Sequence, residues 1–137
     1  MVKRVIEILI LLLGAWFVWQ LPVYALTDAQ AIKAVMGEAR GESLAGKTAV
    51  AECLRRRGNL HGVYGANISQ TILNREKPSV WRDAAAAWRV SETSNLVPWC
   101  KYWFSDADLI KLNKKRPRWF RQLHFIRKIG NQSFYAS

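Results

Sequence analysis

Lys3 and Arg4 open an almost wholly apolar run, Val5 to Trp19, which stops at Pro22 and is followed by Val23-Tyr24-Ala25. A positive start, a short apolar stretch and small residues before a cut after Ala25 make the pattern of a secretory signal. The run falls short of the ~20 apolar residues of a comfortable bilayer-spanning helix, and it carries Glu7. An uncleaved membrane anchor formed by residues 5–21 is the alternative reading of segment 1–25. Either way the rest of the chain is predicted to lie outside the cytoplasm, in the periplasm, the cell envelope or the extracellular space. Taking residues 1–25 from the 137 leaves 112. That is one domain, 26–137, large enough for a real core but with little stability to spare.

Removing Lys3, Arg4 and Glu7 changes the formal charge only from +11 to +10, so the basicity belongs to the domain itself. Such a surface favours polyanions: nucleic acid, anionic lipid, or the anionic polymers of a bacterial envelope. Export selects the envelope, and no nucleic-acid motif or phosphate-binding glycine loop is present. Cys53 and Cys100 are the only cysteines. In an oxidising compartment they can pair, but two unpaired thiols in the core fit the sequence nearly as well. A zinc site of Cys53, His61, Cys100 and His124 lacks the close ligand spacing such sites use. Neither a metal nor a cofactor is expected.

Thr27 followed by Gln30 is a capping-box pattern, and Ile32, Val35, Met36 and Ala39 form an apolar helical stripe behind it. Glu38 falls roughly 110° from the centre of that stripe and Glu42 roughly 70°, both on its flanks. Gly37 and Gly41 leave bare backbone beside Glu38, as expected where a ligand approaches closely. A second helix is predicted from Leu44 to Arg57, burying Ala49, Val50, Cys53 and Leu54. Its Arg55-Arg56-Arg57 suits the helix dipole, and Gly58 ends it. Further helices are predicted over Asn67 to Arg75 and after Ser79 as cap, the latter with Trp81, Ala84, Ala85 and Trp88 on one side. Trp99 to Phe104 is either extended or a buried loop. Asp106 is read as the cap of a short helix through Ile110 and Leu112. His124 to Ile129, Gly130-Asn131 and Gln132 to Tyr135 form a β-hairpin pattern. The fold class is mainly α (α+β), with a small β element at the C-terminus.

Glu38 is the first candidate for chemistry. A carboxyl shielded by Ala34, Val35 and the glycines favours its protonated form, and a protonated glutamic acid can donate to a glycosidic oxygen. Spacing alone favours a surface glutamate making an i, i+4 contact or facing Arg40. Glu42, one turn on, would point in nearly the same direction and so suits a tuning or structural role better than that of a nucleophile. Asp106 and Asp108 are the better candidates to face Glu38, although capping also accounts for Asp106. Tryptophans present flat faces to sugar rings, yet most are core residues, and Trp81 and Trp88 share the face of a helix. Tyr64, Tyr102, Trp103, Trp119 and Tyr135 are the candidate groove residues. These aromatics and the positive charge are also compatible with a non-catalytic wall- or membrane-binding protein.

The block Gly37-Glu38-Ala39-Arg40-Gly41-Glu42, followed by Gly46-Lys47-Thr48-Ala49-Val50-Ala51, resembles the bacterial and phage cell-wall hydrolase family that includes the spore-cortex-lytic enzymes. Gly62-Val63-Tyr64-Gly65, Pro117-Arg118-Trp119-Phe120 and Ile129-Gly130-Asn131-Gln132-Ser133-Phe134-Tyr135 are similar to segments of its smaller members, in the same order. The resemblance implies a small lysozyme-like, lytic-transglycosylase-like domain that cleaves the glycan strands of peptidoglycan. Its catalytic acid carries over onto Glu38, and peptidoglycan becomes the expected partner. Two departures stand out. An asparagine common at the end of the second helix is replaced within Leu54-Arg55-Arg56-Arg57, and Gln132 occupies a position where many members have histidine.

Overall fold

The computed structural model describes residues 25–137, so the leader and its anchor alternative lie outside the described residues. Among those residues no helix is long and apolar enough to cross a membrane. The elements are α1 (Asp28–Ala39), α2 (Leu44–Arg57), a 3-10 turn (Tyr64–Asn67), α3 (Gln70–Leu73), α4 (Pro78–Val90), β1 (Tyr102–Ser105), α5 (Asp106–Lys114), a second 3-10 turn (Phe120–Gln122), β2 (His124–Ile129) and β3 (Gln132–Ala136). This is a helical layer with a small antiparallel sheet of order β1-β3-β2.

The capping box opens α1, with Thr27 and Gln30 each bonding the other's backbone N–H. The α2 boundaries coincide with the predicted ones, and Gly58 ends the helix in the left-handed region, φ 69°. The helices bury Val35, Met36, Val50, Leu54 and Leu73 against Phe134 of the sheet. Cys53 and Cys100 are disulfide-bonded with Cα atoms 5.1 Å apart, which joins α2 to the approach to β1. The bond consumes both thiols that the zinc alternative would have needed.

Several local expectations change. Asn67 belongs to the preceding 3-10 turn and Ser69 caps α3, so only one turn remains of the helix predicted over Asn67 to Arg75. Ser79 is not a cap. Pro78 takes the first position of α4, where its missing N–H leaves nothing unsatisfied, and Lys77 precedes it as cap. Nor is Asp106 the cap of α5: Ser105 holds that position, in a capping box with Asp108. Of the segment Trp99 to Phe104, the part from Tyr102 onward is strand β1, whose Trp103 lies opposite Phe134 and Tyr102 opposite Tyr135, and Trp99 to Lys101 precede it as non-strand chain. The predicted hairpin is present, and β1 adds a third strand to it.

The arginine run at the end of α2 does more than complement a dipole. Arg55 donates to the Trp88 carbonyl at 2.7 Å and stacks 3.7 Å from the centroid of the Trp88 ring. Arg56 donates to the Val97 carbonyl at 2.6 Å. Glu52 is 1% exposed and anchors the loop that leads to β1. Its Oε1 accepts from Ser94 Oγ at 2.5 Å and Leu96 N–H at 2.9 Å, and its Oε2 from Val97 N–H at 3.1 Å and Arg56 at 3.4 Å. Burial pushes this carboxyl's pKa up, but the Ser94 hydroxyl, the two backbone N–H groups and Arg56 together hold it below the ordinary glutamate value.

Candidate active site

Glu38 lies in the last turn of α1, and the glycine before it decides what can stand next to it. A Cβ on Gly37 would fall 1.9 Å from the Gly65 carbonyl oxygen, and one on Gly65 would fall 2.5 Å from the Glu38 nitrogen. Two glycines therefore let the Tyr64–Asn67 turn rest directly on the helix backbone. The bare surface at Gly37 is used by the chain's own turn, where a ligand was expected. Nothing lies within 4 Å of a Cβ on Gly41.

This contact brings the Gly65 N–H to Glu38 Oε1 at 2.5 Å. From the opposite side the Trp103 indole N–H donates to Oε2 at 3.0 Å. The Gln132 side-chain amide donates to the Glu38 backbone carbonyl at 3.3 Å. Three separate parts of the fold (the 3-10 turn, β1 and β3) thus hold one residue. Gln132 Oε1 is buried without a hydrogen-bond partner among the described residues.

Glu38 opens onto a cleft of about 470 Å³ whose walls include Tyr64, Tyr102, Trp103 and Trp119. Tyr64 is 88% exposed and Trp119 49% exposed, so both present free aromatic surface. Trp103 is nearly buried and holds Glu38 through its indole nitrogen. Arg57, His61 and Lys111 also line the cleft; they had no local signal, because only the packing of α2, the following loop and α5 brings them there. Trp81 and Trp88 stay in or against the core, as expected.

The other predicted residues stand elsewhere. Tyr135 is outside this cleft. It packs edge-on against Phe104 and Phe125 and lines a second cavity beyond α5. Burial raises its phenol pKa above the ordinary value, with the Arg116 charge opposing. Glu42 lies past the end of α1, so it does not share a helical face with Glu38. Its Oε2 accepts from the Asn131 N–H at 3.3 Å, tying the segment to the hairpin turn, and Lys47 donates to its backbone carbonyl. Asp106 pairs with Lys128 at 2.8 Å and does not line the cleft. Asp108 does line it, but its Oδ2 accepts from the Ser105 hydroxyl at 2.7 Å and from the Ser105 N–H at 3.3 Å. Among the described residues no three acidic, histidine or cysteine side chains gather as a metal site would require.

No protein-family model matches the chain, and no curated protein matches it in sequence. Solved structures do. The catalytic domain of the germination-specific lytic transglycosylase SleB from Bacillus anthracis aligns over 84% of this chain and 99% of its own, with a TM-score of 0.52 and 19% identity. The catalytic domain of the Bacillus cereus SleB protein aligns over 83% of this chain and 94% of its own, with a TM-score of 0.48 and 18% identity. At this identity the likeness is one of fold: a mainly helical domain with a small C-terminal antiparallel sheet.

Proposed function

We propose that this domain cleaves the glycan backbone of peptidoglycan at the β-1,4 bond between N-acetylmuramic acid and N-acetylglucosamine, with Glu38 as general acid. The observation that carries this reading is the setting of the Glu38 carboxyl. It is gripped by the Gly65 N–H and the Trp103 indole at the edge of a cleft with exposed Tyr64 and Trp119. Two N–H donors fix the direction of the carboxyl, and aromatic faces suit the flat C–H surfaces of pyranose rings. The fold shared with the germination-specific lytic transglycosylase SleB from Bacillus anthracis supports the same chemistry.

Glu38 gives its proton to the glycosidic oxygen as the bond from C1 breaks, leaving oxocarbenium character on the muramic sugar. Asp108 is the one other carboxyl lining the cleft, and Ser105 engages it. This arrangement favours the lytic transglycosylase outcome: the 6-hydroxyl of the muramic residue attacks C1, and its proton passes to the Glu38 carboxylate. The product is a 1,6-anhydro sugar, one water lighter than the hydrolytic product, and Glu38 is again protonated.

The domain acts after export, and its positive charge holds it on the anionic wall, an attraction that weakens as salt rises. Digestion of purified sacculi followed by mass spectrometry distinguishes anhydro from reducing ends; absence of both removes the enzymatic reading. Glu38→Gln should lower lysis by about 10²–10⁴-fold while sedimentation with sacculi persists. Undiminished lysis by this variant would move the acid elsewhere. The exposed aromatics and basic surface also suit a non-catalytic wall-binding role, which predicts sedimentation with sacculi but no lysis by the wild-type protein.

A further inference from the structure

The cavity beyond α5 has about 360 Å³, and its walls include Arg116, Arg121, Asn113, Phe120 and Tyr135, with no carboxylate. Arg116 is held by a bond from Nε to Asn113 Oδ1 at 3.1 Å. Among the described residues neither arginine forms an ion pair. The surroundings share this bias: residues 101–128 hold nine lysines and arginines against Asp106 and Asp108. Of the seven arginines between residues 26 and 100, three are ion-paired: Arg40–Glu76, Arg55–Glu92 and Arg56–Glu52.

This cavity and the Glu38 cleft are neighbours across one helix and one aromatic wall. Asp108, Lys111 and Leu112 of α5 face the cleft, while Leu109 and Asn113 face the cavity. On a helix the centres of these two sets are separated by roughly 125°. Phe104 and Trp119 line the cleft, and Phe120 lines the cavity. The Phe104 and Phe120 ring centroids are 5.6 Å apart, and those of Trp119 and Phe120 are 6.0 Å apart.

We propose that the cavity is a subsite for the carboxylate groups of the peptide stem carried by the muramic residue, with Arg116 and Arg121 as its cationic partners. The inference rests on the glycan-cleaving reading. A strand seated against Glu38 would extend its stem from the muramic lactyl group past α5. Crossing a helix of about 10–12 Å diameter takes three or four extended residues, which reach about 10–13 Å. Guanidinium groups match carboxylates with two parallel hydrogen bonds, and the Phe120 and Tyr135 rings supply an apolar wall for the stem's side chains. A phosphodiester wall polymer would meet the same charges, but nothing ties it to the adjacent cleft.

The test compares the full chain with its Arg116→Gln/Arg121→Gln double variant on three substrates: glycan strands bearing stems, strands stripped of stems, and strands with amidated stem carboxylates. The wild type should prefer stem-bearing strands, and the double variant should lose about tenfold in kcat/KM on them, mainly through KM, erasing that preference. Amidation should reproduce the loss for the wild type. Both arginines are exposed, so melting temperatures should match and exclude misfolding. Binding of free stem peptide should weaken by a similar factor in the double variant. An equal loss on stripped and stem-bearing strands overturns the proposal, as does an unchanged preference. Weakened binding of a poly(glycerol phosphate) probe with stem preference intact reassigns the cavity to phosphate. If the wild type cleaves no strand, the glycan-cleaving reading fails, and the arginine dependence of free stem binding then decides the subsite alone.

Discussion

Replacing Gly65 with alanine puts a methyl group 2.5 Å from the Glu38 nitrogen and the Gly37 carbonyl carbon, and 2.8 Å from Glu38 Cγ. Two of these neighbours are helix backbone, which cannot swing aside as a side chain can. Restoring ordinary contact therefore requires the Tyr64–Asn67 turn to withdraw by about 1 Å, and the Gly65 N–H to withdraw from Glu38 Oε1 with it. Misplacement of that size at a reacting group costs about 10²-fold in rate, so lysis of sacculi, followed by turbidity, should fall by about that factor. Overpacking should also cost about 1–3 kcal/mol, seen as a drop of about 4–12 °C in a circular-dichroism melt. Gly41→Ala is the control, because its new methyl meets nothing within 4 Å. Gly65→Ala lysing at a rate within threefold of wild type, or Gly41→Ala losing as much, would refute the reasoning that this glycine contact sets the acid.

Trp103→Phe keeps an aromatic ring but removes the indole donor to Glu38 Oε2, and should reduce kcat by about tenfold or more; equal rates in the turbidity assay would show that the indole does not orient the acid. Reducing the Cys53–Cys100 bond, or replacing both cysteines with alanine, releases a cross-link between residues 47 apart in sequence. The chain-entropy model predicts a loss of about 4 kcal/mol, and melts with and without reductant should differ by more than about 10 °C. Glu52→Gln turns an amide donor toward either of two donor pairs and should destabilise the fold by about 3–5 kcal/mol, measured by urea unfolding. Because the folded state depresses the Glu52 pKa, the wild-type advantage should be full above the ordinary glutamate range and shrink as pH falls through the depressed value. A pH-independent difference between the two proteins would contradict that linkage.

Local chemistry was legible wherever nearest neighbours along the chain decide the outcome. The Thr27–Gln30 box, the span of α2 and its Gly58 stop, and the β2–β3 hairpin all read correctly, because capping, propensity and turn geometry act over only a few residues. Placement of the α4 and α5 caps went wrong by one or two residues: Pro78 starts α4 with no side-chain cap before it, and Ser105 and Asp106 stand side by side at the start of α5. Glu38 could be singled out, but Glu42 could not be placed, since the angular argument carries the helix through position 42 and α1 stops at Ala39. Tyr135 holds a strand position that suits a groove residue, and its place in the sheet sets it against the second cavity.

By itself, then, the amino-acid order determined a basic, mostly helical domain with a carboxyl on the flank of its first helix, because periodicity and charge are properties of the chain. What surrounds that carboxyl came from tertiary structure alone. Gly65, Trp103 and Gln132 are 27, 65 and 94 residues away, and no short-range pattern encodes contacts over such distances. Packing of the turn on α1, of the Glu52-anchored loop and of β1 on β3 brought them within hydrogen-bonding reach.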